Sequence, residues 1–167
     1  MSATWELAVR AIVIGVGATV ISDVYALLLK RILHVPSLPW PLVGRWIGHW
    51  LRGRFAHAAI GQAEPVRGEA ALGWAAHYAI GIAFAALLLA VTGIDWALAP
   101  TLLPALAVGV GTVVAPFFLL QPAFGLGIAA SKTPKPNLAR LRSLATHTMF
   151  GFGLYLAALA AAPLWRA

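Results

Sequence analysis

The stretch AALGWAAHYAIGIAFAALLLAVT, residues 70–92, contains no Asp, Glu, Lys or Arg. A helix rises 1.5 Å per residue, so about 20 residues cross the roughly 30 Å hydrocarbon layer of a membrane. This stretch is long enough. It lacks the period-two alternation of a membrane β-strand. With no water to satisfy the backbone, a helix is the form left to it. Working outward, three more apolar runs appear at 11–29, 97–120 and 144–164, the first interrupted only by Asp23. The whole chain is 61% hydrophobic and 10% charged, against about 25% charged in soluble domains. The expectation is all-α: a single membrane domain over 1–167, built as a four-transmembrane-helix bundle. Its spans fall at about 8–31, 70–93, 97–121 and 139–164.

Charge then orients the chain. Twelve Lys and Arg against five Asp and Glu give a net charge of +7. Lys30, Arg31, Arg45, Arg52, Arg54 and Arg67 lie between the first two runs. Lys132, Lys135, Arg140 and Arg142 lie between the last two, whereas the link between runs two and three offers only Asp95. The positive-inside rule places both basic loops in the cytoplasm and both termini on the periplasmic side. The basic charge is thus a topology signal with a share for anionic lipid; no nucleic-acid partner is implied. Trp5, Trp96 and Trp165 fall at outer span ends, and Trp46, Trp50 and Trp74 on the inner side, as expected of interfacial rings. The first run does not read as a cleavable leader, because Lys30 and Arg31 follow it.

The first inner loop opens with HVPSLPWP, where prolines stop a helix. In the following LVGRWIGHWLRGRFAHAAIG, Trp46, Ile47, Trp50, Leu51 and Phe55 alternate with Arg45, His49, Arg52 and Arg54 at helical spacing. The expectation is an amphipathic interfacial helix over about 42–60, lying on the cytoplasmic face. In the second inner loop a short helix is expected after Pro122, TPKP breaks the chain, and Asn137 is placed to cap the fourth helix. Pro100, Pro104 and Pro116 predict a bend in the third.

Polar residues within the runs share a depth. Asp23 lies seven residues before Lys30, about 10 Å inside the inner boundary. His77 and His147 lie about 12 and 8 Å in by the same rise. Gln121 ends the third run on that side. Thr112 lies nine residues before it, and Tyr78 adjoins His77. Residues four apart share a helix face: Gly15, Thr19 and Asp23; Gly73, His77 and Gly81; His147, Gly151 and Tyr155; with Ala105 and Gly109 similarly placed in run three. Small residues on such a face let membrane helices approach closely. The polar groups are therefore expected to point into the bundle.

GRWIGHWLRGRFAHAAIGQAEPVRGEAALGWAAHYAIGIAFA, followed by APTLLPALAVGVGTVVAPFFLLQPAFGLGIAASKTPKPNLARLRSLATHTMFGFGLYL, resembles the bacterial inner-membrane family called domain of unknown function 2938. The resemblance runs from about Gly15 to Tyr155. It implies a small multi-pass protein of a bacterial inner membrane, and it assigns no activity or residue role.

For the layer of Asp23, His77 and His147, with Tyr78, Gln121 and Thr112 nearby, three readings fit. The rings can be neutral, hydrogen-bonded between helices. They can ligate a haem or a divalent metal, His49 and His57 being possible accessory ligands. Or Asp23 and a histidine can pass protons. Asp23 can also pair simply with Arg45. Absent cysteine excludes disulfides and thiol chemistry, and no Ser-His-Asp order, phosphate loop or paired-carboxylate pattern argues for an enzyme. The leading expectation is non-enzymatic assembly in the lipid bilayer, as a homo-oligomer or as the accessory subunit of another membrane protein. A haem-, metal- or ion-handling centre is the alternative.

Overall fold

The computed structural model describes residues 3–166. The described residues are 78% helical, and no strand occurs among them. Five helices organise it: α1 (Ala3–Leu33), α2 (Trp40–Trp50), α3 (Glu69–Thr92), α4 (Leu102–Gly111) and α5 (Pro136–Arg166). Four helical stretches are long and apolar enough to cross a membrane: Thr4–Leu33, Glu69–Thr92, Leu102–Ala123 and Pro136–Arg166. Leu103, Val91, Leu159 and Leu164 are among the many aliphatic side chains left outside. A helix apolar on its outer face as well as its inner one suits lipid rather than water.

Compared with the sequence, α1 and α5 start earlier and end later than the spans expected of them. The third stretch is not one regular helix. It unwinds at Thr112 and Val113, then forms a π-helical turn at Pro116–Leu120, closed by the Gln121 N–H donating to the Pro116 carbonyl. Pro116 has no N–H to contribute, so the regular ladder cannot continue through it.

The fold comprises two compact units. The first takes the described parts of Met1–Pro36, Tyr78–Thr112 and Thr146–Ala167. Its core is aliphatic: Ile14 and Ala18 of α1, Ala85, Leu88 and Leu89 of α3, Ala105 of α4, Leu154 and Ala158 of α5, closed by Trp96. Glycine sets the helix distances. A Cβ on Gly15 would meet Ile82 Cα at 2.5 Å, and one on Gly109 would strike the backbone of Gly151. Without those glycines neither crossing closes. At the end of this unit near the start of α1, Arg10 is buried, paired with Glu6, donating to the Ile94 carbonyl (2.8 Å) and lying 5.6 Å from the Trp165 ring centre.

The second unit takes Ser37–His77 and Val113–Ala145. Here α2 lies so close to the start of α3 that Cβ atoms on Gly44 and Gly73 would strike the Glu69 and Trp40 carbonyls. Val43, Trp46, Ile60, Ala123 and Phe124 make its core. The helix expected over 42–60 is corrected: it spans Trp40–Trp50, because Gly53 turns the chain at a φ of +68°, a conformation glycine adopts without strain. Trp46 does not face outward as an interfacial ring would; it is buried, and its Nε1–H donates to the Phe55 carbonyl (2.8 Å). Asn137 does not cap the last helix either. That helix begins at Pro136, and the Asn137 Oδ1 accepts from Arg140 Nη1 (3.0 Å).

Candidate functional site: polar groups of the helices

In the first unit, α1 brings Asp23 and α3 brings Tyr78 to one crossing. The Tyr78 hydroxyl donates to Asp23 Oδ2 at 3.1 Å. One turn along α1, buried Thr19 returns its hydroxyl to the Gly15 carbonyl (2.7 Å) beside Gly81. The close approach that glycine allows is what lets a carboxylate on one helix reach a phenol on the next. A carboxylate and phenol so placed join two helices through one hydrogen bond.

His147 of α5 meets α4 in the same unit. Thr112 Oγ1 donates to the Gly109 carbonyl (2.6 Å), and His147 Nδ1 lies 3.0 Å from that hydroxyl and 3.3 Å from that carbonyl. The carbonyl can only accept and the Thr112 proton is already engaged, so Nδ1 carries the hydrogen. Thr112, named with His147 in the same polar layer but not as its mate, is therefore its direct partner.

His77 belongs to the second unit. Its ring stacks on Trp40 of α2 with centres 3.7 Å apart and planes 24° from parallel, while Trp74 meets it edge-on at 5.7 Å. Nothing in the spacing of α3 announced this: the stacking partner, Trp40, lies in the proline-rich stretch that the sequence read as a helix-free opening of the first inner loop. Gln121 Nε2 donates to Ser143 Oγ (3.2 Å), tying the end of the third stretch to α5.

Arg45 is not the partner of Asp23. Its guanidinium takes both oxygens of Glu69, Nε to Oε2 and Nη2 to Oε1, each at 2.8 Å, and Nη1 donates to the Ala63 carbonyl at 3.1 Å. Glu69 Oε2 also accepts the Val66 N–H (2.9 Å), which caps the start of α3. The planar fork matches the carboxylate, which lysine would not do. His49 and His57 lie together in the second unit, ring centres 4.9 Å apart. Among the described residues no cluster of three or more His, Cys, Asp or Glu is placed to hold a metal ion.

The residue sequence reading missed is Arg10. It drew no comment there, yet the Glu6–Arg10 spacing of four was a visible helical ion pair.

No curated protein and no solved structure matches the chain. The family model described as Protein of unknown function (DUF2938) matches residues 12–161, so the arrangement of helices and polar crossings set out above is that of a chain belonging to the DUF2938 family.

Proposed function

We propose that this chain is an integral protein of a bacterial inner membrane that acts by assembling with a second copy of itself, and that it turns over no substrate. One observation supports the reading most: Ala71, Ala75, Ala79 and Ala83 of α3 are all exposed. They recur every fourth residue, and the ladder continues the spacing by which membrane helices pack. Every glycine crossing described above is occupied by a helix of the same chain. The alanine face is left for a helix of another. The polar groups Asp23, Tyr78, Thr112 and His147 serve this reading as locks that keep each copy rigid.

In this reading both basic loops lie in the cytoplasm, with both termini in the periplasm. The test is the mass of the complex extracted with its lipid in nanodiscs. The wild type is expected at a multiple of the chain mass. The variant carrying Ala75→Phe and Ala79→Phe is expected at the mass of one chain, with unchanged helix content. A wild type that runs as a single chain would end the proposal.

A further inference from the structure

We infer that His49 and His57 form a two-histidine site for a divalent first-row transition metal, with His49 Nδ1 and one ring nitrogen of His57 as its protein ligands. The site lies in the second unit, and it does not depend on the assembly reading.

Begin with His49. It sits on α2 and is 0% exposed. Its Nε2 lies 2.9 Å from the Glu64 carbonyl. A carbonyl only accepts, so Nε2 carries the hydrogen and Nδ1 of the neutral ring keeps its lone pair. That Nδ1 is buried and makes no hydrogen bond. This is the state in which proteins present histidine to a metal: one nitrogen donates to a backbone carbonyl and fixes the ring, and the other is free to bind.

His57 adds a second ring. Both of its nitrogens are buried without a hydrogen-bond partner. Three orphaned ring nitrogens in one place are costly, since each has given up its hydration with no hydrogen bond in return, and such groups call for an explanation. The rings do not satisfy each other, though their centres are 4.9 Å apart at 76°. Two imidazoles bound to one ion at about 2.0–2.1 Å, with a bond angle near tetrahedral or square, hold their centres roughly 4.5–5.2 Å apart. The observed separation falls inside that range.

The rings are also held where they are. Trp46 and Val43 anchor α2 in the core of the unit. The His57 N–H donates to the Ala123 carbonyl (2.9 Å), and the Ile60 N–H to that of Phe124 (3.3 Å). No third carboxylate, cysteine or histidine joins the pair among the described residues, so water completes the coordination. Imidazole pairs of this kind suit Cu²⁺, Ni²⁺ and Zn²⁺ and not Mg²⁺ or Ca²⁺.

The experiment uses full-length protein in detergent, without a histidine tag. Zn²⁺ is titrated in competition with a chromophoric chelator, and Cu²⁺ is followed by electron paramagnetic resonance. The wild type is expected to take one ion per chain, with a Cu²⁺ spectrum split by two nitrogen donors. His57→Gln and His49→Gln are expected to weaken uptake at least about tenfold, and His34→Gln to leave it unchanged. His57 is only half-buried, so that variant carries the test even if His49→Gln does not fold. A wild type that takes up no ion, or a folded His57→Gln that takes it up as tightly as the wild type, overturns the site.

Discussion

Tyr78 and Asp23 show what one hydrogen bond does between two apolar helices. Removing the phenol oxygen leaves the ring in place and the carboxylate without this donor. In membranes such bonds are worth about 0.6 kcal/mol on average and up to about 1.7. Tyr78→Phe is therefore expected to lower stability by about 1 kcal/mol, read from unfolding in mixed detergent micelles. His57 makes a second, pH-dependent contribution. Its folded form favours the neutral ring because burial and the neighbouring His49 and Arg54 disfavour charge. Stability of the metal-free protein is thus full above about pH 6.5, the unfolded value. It is lost as the pH falls from there through the lower folded value. The thermal midpoint should decline over that range, and less steeply in His57→Gln. Single residues were only partly legible beforehand. The small-residue series Gly15, Thr19 and Asp23 put Asp23 on an inward face. It could not show that the phenol of Tyr78, one position past His77, would be its donor. A shift of one residue turns a side chain by about 100° on a helix, and only the crossing angle decides which neighbour is reached.

At the scale of elements, length and composition were enough to find four apolar stretches. They were not enough to find their irregularities. Three prolines in the third stretch predicted a bend; the structure places the break at Thr112 and Val113, with a π-helical turn after it. For α2 the alternating tryptophans and arginines gave the helix and misjudged its extent and its face. Periodicity cannot tell a helix lying on lipid from one packed on protein, and Trp46 and Val43 are packed on protein. Two substitutions probe these elements. Gly109→Val would press a branched side chain into the Gly151 backbone. Overpacking at such a site costs about 1–3 kcal/mol or more, and the expected readout is loss of the folded form in thermal unfolding. Arg45→Met would strip a half-buried carboxylate of both its guanidinium contacts at the start of α3 and leave it the Val66 N–H. A fully buried pair loses about 3–5 kcal/mol when one partner goes. With Glu69 and Arg45 both partly open to solvent, a loss of about 1–2 kcal/mol is expected. Glu69→Gln, which keeps a hydrogen-bonding oxygen, should lose less.

On the scale of the whole molecule, one feature of composition dominates: aliphatic side chains lie on the outside as well as in the core. Such a surface suits lipid, and in the proposed assembly the exposed alanines of α3 are the part of it that meets a helix of the second copy. Asp23, His77 and His147 each have their own local setting, an aspartate with a phenol, a histidine on a tryptophan, a histidine with a threonine. Matching depth along the sequence could not supply these settings, because depth fixes height and leaves the neighbour open. The absence of cysteine makes the assembly claim directly measurable. Single cysteines are introduced at Ala79, on the alanine face, and at Leu156, exposed on α5. The membranes are then oxidised before any detergent is added. Ala79→Cys is expected to give a disulfide-linked dimer of the chain, and Leu156→Cys is expected to give none. Equal linking at both positions, or none at Ala79, would contradict assembly through α3.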